Sequence, residues 1–210
     1  MLSAGYQKGT MTVMTGCESL PVLVVGDGGH ASVVISSLNR LGVEILGVTG
    51  EGKNEKEKIL DVPIIGNDDE ITKWRPDEIR LVNGIGMTVP GFSQRHACAE
   101  RLRALGFRFL ALVDPTAVVS PDVIISEGVQ VMAGVVIQPG VFIGQDAIVN
   151  TGARIDHDCL IGDGSHICPG VTLAGSIKVG EQSLVGAGAT IVPNVRVSKR
   201  SLVRAGSLMS

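Results

Sequence analysis

Four histidines occur in the 210 residues: His30, His96, His157 and His166. Two of them fall in one stretch, Asn150-Thr-Gly-Ala-Arg-Ile-Asp-His157-Asp158-Cys-Leu-Ile-Gly-Asp163-Gly-Ser-His166-Ile-Cys-Pro-Gly170. His157 stands between Asp156 and Asp158. A carboxylate beside an imidazole orients the ring and stabilises its charged form, which is what a general base requires. The ligand count and spacing do not suit zinc, so no metal is expected. Cys159 and Cys168 flank the pair and raise the question of a thiolate nucleophile.

The elements that must carry these residues follow from a period of six. Sixteen aliphatic residues recur without a break from Val113 to Val203, among them Ile137, Ile155, Ile161, Ile167 and Val185. Chance would yield such a run on the order of once in a million. Six is the repeat of a parallel β-helix, in which each hexapeptide forms one flat face of a triangular coil. The run predicts about five coils with identical positions stacked in register. The aliphatic residue fills the interior. The residue four places on, always small or β-branched, is placed near a corner. In this frame both His157 and His166 should project from the prism surface. Cys159 takes a four-on position and reads as a packing residue. Cys168 has no activating partner.

Before the repeat, apolar runs alternate with helical patterns. Val22–Val25 ends at Gly26-Asp-Gly28-Gly29-His30, and a helix follows from Ala31 to about Leu41. Further apolar runs lie at Val43–Val48, Val62–Ile65 and Ile79–Val82. The segment from Asn67 looks like a helix start with acidic residues in its first turn. Another helix spans about Gly91 to Leu105. This order predicts a small parallel, Rossmann-like α/β sheet. A glycine loop at a strand end, with a helix N-terminus behind it, suits a phosphate. The glycines Gly84 and Gly86 after another strand point the same way. Residues 1–19 are expected to be a disordered lead-in, residues 20–112 an α/β domain and residues 113–210 the β-helix.

Composition narrows the partners. The net charge is −3, with no basic tract, which disfavours nucleic acid and anionic membranes. No apolar run reaches the length of a membrane span. Four cysteines without C-x-x-C spacing fit reduced thiols and a cytoplasmic location.

The histidine segment, followed by Leu173-Ala-Gly175, resembles the bacterial nucleotide-sugar N-acetyltransferases grouped with the sialic-acid O-acetyltransferases. The resemblance runs from about residue 21 to the end and includes the loop at Gly26–Ala31. It implies a left-handed coil, although parallel β connections are normally right-handed. It implies an acetyl-CoA-dependent enzyme acting on the C4 amine of a nucleotide-linked 4-amino-4,6-dideoxyhexose. His157 matches the catalytic base and Asp158 the acid that positions it. Asn150 matches a polar residue near the base. His166 matches the histidine that contacts the thioester carbonyl. Gly175, Ala205 and Gly206 match backbone sites along the CoA arm. Gly28, Gly29 and His30 match the loop gripping the nucleotide-sugar. The resemblance also implies a homotrimer with active sites between subunits. One departure is Thr49-Gly50, where relatives often carry an acid near the nucleotide base. A sugar O-acetyltransferase and a non-catalytic β-helix binding protein are the alternative readings.

Overall fold

The computed structural model describes residues 20–51, 57–87 and 92–210. The expected lead-in and most of the charged segment after Glu51 lie outside them. Strand β1 (Val22–Val25) is followed by helix α1 (Gly29–Leu41), β2 (Ile45–Thr49), β3 (Lys58–Ile59), β4 (Val62–Gly66), a 3-10 helix (Asp68–Lys73), β5 (Arg80–Asn83) and α2 (Phe92–Ala104). The sheet order is β3-β4-β2-β1-β5. Among the described strands only β3 runs antiparallel, as a hairpin partner of β4. It is a two-residue strand, too short to show an apolar pattern. The segment after Asn67 is 3-10 rather than α. Asn67 caps it by accepting from the Asp69 N–H.

The central strand β1 is buried throughout, as a parallel strand covered on both faces must be. Helix α1 turns Ala31, Val34, Ile35 and Leu38 to the sheet. It ends at Gly42 in the left-handed conformation, whose N–H closes on Leu38 and Asn39. Helix α2 covers the opposite face with Ala99 and Leu102.

From Leu112 onward the chain is a parallel β-helix. Its three faces hold six, six and five strands. The first face stacks Leu112–Val113, Gln130–Val131, Ile148–Val149, His166–Ile167, Leu184–Val185 and Leu202–Val203. The second carries Arg154–Ile155 and Thr172–Leu173, and the third Phe142–Ile143 and Leu160–Ile161. The pairing is in register, so residues eighteen apart are neighbours, as Ile148, His166 and Leu184 are. The repeating aliphatic residues form the core. The four-on positions are interior too: Val129, Val135, Ala153, Cys159 and Val171 are buried in the same cluster. Two inward residues flank one outward residue because side chains alternate along each short strand.

The α/β domain packs on the first face. Arg40 and Ser37 of α1 hold the buried Asp114 carboxylate. Arg103 of α2 grips Asp146 through two nitrogens and also reaches Glu127. Between these two locks Leu110, Leu112 and Met132 continue the core of the α1 side. No helix among the described residues is long and apolar enough to cross a membrane.

Candidate active site

His157 lies at the corner between the second and third faces, in the turn that joins Arg154–Ile155 to Leu160–Ile161. Its backbone N–H donates to Asp156 Oδ1 at 2.8 Å. Its Nδ1 is 2.8 Å from Asp158 Oδ2. The carboxylate accepts, so Nδ1 carries the proton and Nε2 presents a lone pair. The hydrogen bond to Asp158, against slight desolvation and with help from the charge of Asp156, raises the imidazole pKa above its ordinary 6.5. The ring is 58 % exposed. Asp158 takes the left-handed conformation of the turn, φ 58°, which Asp tolerates better than most residues.

One coil on, Gly175 sits against this ring. A Cβ there would come within 2.5 Å of His157 Nε2 and 2.6 Å of Cε1. The absence of a side chain at 175 is therefore what lets the imidazole lie where it does. Gly140, one coil back, plays the same part for Asp158, whose Oδ1 would be 2.5 Å from a Cβ.

His166 is off the prism interior, as the repeat frame expects, yet it is not open to solvent. It does point outward from the prism, but the α/β domain covers that face and leaves it 7 % exposed. Its Nε2 is 3.0 Å from Asn150 Nδ2; the amide donates. Burial, then electrostatic coupling to His30 and to the positive Arg95, lower its pKa to about 4, partly opposed by the Met87 backbone. It is a neutral hydrogen-bonding group at physiological pH. His157 occupies the corner opposite the first face, with the apolar core between. One chain therefore brings His157, Asp158 and Gly175 together, and Asn150 and His166 together, but not the two groups.

In the α/β domain, Gly28 and Gly29 open onto free space: a Cβ at either meets nothing within 4 Å. Among the described residues nothing demands glycine at these positions, which leaves backbone that a ligand could approach closely. Gly84 differs. A Cβ there would meet the Gly26 carbonyl at 2.8 Å, so packing accounts for it. Asp27 of the first loop lies over Gly50, where a Cβ would be 2.3 Å from its Cγ. A first-loop acid thus occupies space at the end of β2, where Thr49-Gly50 supplies none. His30 is bonded to Gln130 rather than free in the loop. Ala205 and Gly206 lie in a turn of the last coil, remote in sequence from every group above.

Gln130, Asn83 and Arg95 were missed by residue-type reasoning. A signal for Gln130 exists at spacing eighteen. The outward row Leu112, Gln130, Ile148, His166, Leu184 and Leu202 has no Lys, Arg, Asp or Glu, whereas the other two rows include Arg154, Lys178 and Arg196. An uncharged outward row marks a covered face.

Neither thiol flanking the histidine pair is placed in surroundings that would favour a thiolate. Cys159 Sγ donates to the Ala174 carbonyl at 3.1 Å, and burial raises its pKa. Burial pushes Cys168 up to about 11. Among the described residues no group of three His, Cys, Asp or Glu side chains is placed to hold a metal ion.

Stacked parallel coils with a histidine–carboxylate pair on one corner, behind a small α/β domain, define a β-helix acyltransferase. The comparisons agree. A family model described as the PglD N-terminal domain matches residues 21–116, and one described as bacterial transferase hexapeptide (six repeats) matches residues 140–175. A search of the curated proteins finds no match. Among solved structures, a histidine-to-asparagine mutant of perosamine N-acetyltransferase from Caulobacter crescentus, in complex with CoA and GDP-perosamine, is 37% identical. The match covers 90% of this chain and 88% of that one, with a TM-score of 0.84. The acetyltransferase domain of PglB from Neisseria gonorrhoeae, in complex with acetyl coenzyme A, is 32% identical. Coverage is 90% of each chain and the TM-score is 0.81. The chain belongs to the hexapeptide-repeat nucleotide-sugar N-acetyltransferases of the left-handed β-helix class. It is an acyltransferase, which sets aside the non-catalytic reading.

Proposed function

We propose that this chain transfers the acetyl group of acetyl-CoA to the C4 amine of a nucleotide-linked 4-amino-4,6-dideoxyhexose, with His157 as general base. The observation that carries this reading is the exposed His157–Asp158 pair, with Nε2 unprotonated and set against Gly175. The amine attacks the thioester carbonyl while Nε2 takes its proton. Asp158 holds the Nδ1–H and stabilises the imidazolium that forms. The acetyl thioester supplies the electrophile and the leaving thiolate. The relatives crystallised with CoA and GDP-perosamine or with acetyl coenzyme A support these substrates.

Gly28 and Gly29, open and at the N-terminus of α1, are suited to the diphosphate of the acceptor. The separation of the two histidine groups on opposite sides of one prism favours an active site shared between subunits. In a trimer of parallel prisms, the His157 corner of one subunit meets the Asn150 and His166 side of the next. Ala205, Gly206 and Gly175 would then line the CoA arm along the groove between prisms. A cytoplasmic location fits the acetyl-CoA supply.

The test is turnover of acetyl-CoA with a panel of GDP-, UDP- and dTDP-linked 4-amino sugars and their 4-hydroxy counterparts. Turnover of one amino sugar, with inert hydroxyl counterparts, is the expected result. Acetylation of the hydroxy sugars alone would replace the reading with O-acetylation.

A further inference from the structure

Arg95 of α2 is 2 % exposed, yet it has no carboxylate partner among the described residues. Its Nη1 donates to the carbonyls of Asn83, at 2.9 Å, and Ile85, at 2.7 Å. Nε and Nη2 are buried without a hydrogen-bond partner among the described residues. The Asn83 side chain returns the contact, donating to the Arg95 carbonyl and accepting from the Ile85 N–H. This knot closes the segment that follows β5, at the end of the sheet where α/β folds bind ligands.

The same Asn83 carbonyl accepts a second hydrogen bond, from Gln130 Nε2 at 2.7 Å. Gln130 is fully buried on the first face of the prism. With its nitrogen on a carbonyl, its amide has one orientation only, because the flipped form would set two oxygens together. Its Oε1 is therefore the atom 2.7 Å from His30 Nε2. An amide oxygen only accepts, so His30 Nε2 must carry a proton. Burial, reinforced by the positive charge of Arg95 and opposed by the Gln130 hydrogen bond, lowers the His30 pKa to about 4. A neutral imidazole has a single N–H, so Nδ1 is left as a lone pair.

We propose that Arg95, Asn83 and Gln130 form a relay that locks His30 in its Nε2-protonated tautomer, so that Nδ1 offers the nucleotide-sugar a hydrogen-bond acceptor. The acceptor part of this inference rests on the N-acetyltransferase reading above. Its chemical consequence is specific. An ionised phosphate oxygen has no proton to give and is repelled by an imidazole lone pair. His30 therefore serves a hydroxyl or N–H of the acceptor, and the diphosphate is left to the backbone at Gly28 and Gly29. Arg95 and Gln130 are positioning residues that act through His30.

The tautomer is read directly in full-length protein labelled with 15N-histidine, with His30→Gln used to assign the signal. The expected result at pH 7 is a neutral His30 protonated at Nε2, which stays so when the acceptor identified in the panel is added. Gln130→Leu should release the tautomer and raise KM for that acceptor about 3- to 10-fold, the value of one neutral hydrogen bond. KM for acetyl-CoA and kcat should hold. If the leucine variant fails to fold, Arg95→Met, which removes both hydrogen bonds to the Asn83 and Ile85 carbonyls, should move the acceptor KM in the same direction. A wild-type His30 protonated at Nδ1, or doubly protonated on binding, overturns the relay. Equal KM changes for both substrates do so as well. Absence of turnover with every nucleotide-sugar instead overturns the functional reading, and the tautomer measurement still decides the relay.

Discussion

His157 and His166 sit nine residues apart, and their surroundings drive them in opposite directions. At the open corner a carboxylate raises the pKa of His157. On the covered face burial, with electrostatic coupling to His30 and Arg95, depresses that of His166 to about 4. Desolvation disfavours the charged imidazole and an adjacent carboxylate favours it. One residue type thus supplies a group able to take a proton and a group that stays neutral. The hexapeptide repeat places both outward. The α/β domain, by covering only one face, makes them different.

The sharpest way to break this comparison is to remove the corner histidine. His157→Ala should lower kcat by about 10²-fold or more, as loss of a general base does, while CoA affinity measured by calorimetry holds. An unchanged rate would take His157 out of the mechanism. Gly175→Ala should cost up to about 10²-fold in kcat, because the new Cβ displaces the imidazole and small misplacements are expensive. The ring is exposed and can swing into water, so thermal stability should hardly change. A large fall in Tm with normal kcat would show that Gly175 serves the coil and not the base.

Asp158→Asn sharpens the electrostatic half of the contrast. A base must be unprotonated, so kcat/KM should rise with pH through a pKa above 6.5 in the wild type. Without the carboxylate that limb should move to lower pH, and the plateau should drop by less than in His157→Ala. A limb that stays in place would mean that the titrating group is elsewhere. The smallest effect belongs to the cysteines. With both thiols protonated at neutral pH, the double variant Cys159→Ala, Cys168→Ser should keep most activity, and initial rates should show a ternary complex. Parallel double-reciprocal lines, or acetyl label trapped on the protein without acceptor, would point to a covalent intermediate.

Much of the α/β domain was legible because its strands are continuous apolar runs broken by glycine. The runs ending at Val25, Val48 and Val82 all became strands. The hairpin of Lys58–Ile59 was not legible, since two residues show no period. The turns carry a further regularity. Three residues after each core aliphatic, the chain repeatedly takes a positive φ, at Gly134, Gly152, Asp158, Gly170, Asn194 and Gly206 among others. Read at spacing six, the glycines would have located the corners and placed the four-on residues inside.

By itself the sequence determined the coil, its phase and the histidine–carboxylate pair at its corner. A period of six admits one parallel architecture, and His157 and Asp158 are adjacent, so their contact needs no long-range fold. Only the tertiary structure decided which outward residues meet water. The burial of His166, the pairing of His30 with Gln130 one hundred residues away, and the lodging of Arg95 beneath the segment after β5 all depend on one domain lying against one face. That choice rests on Asp114 with Arg40 and on Asp146 with Arg103, ion pairs whose partners lie 74 and 43 residues apart. Local patterns cannot show such pairs, because burial is set by what the rest of the chain places on top.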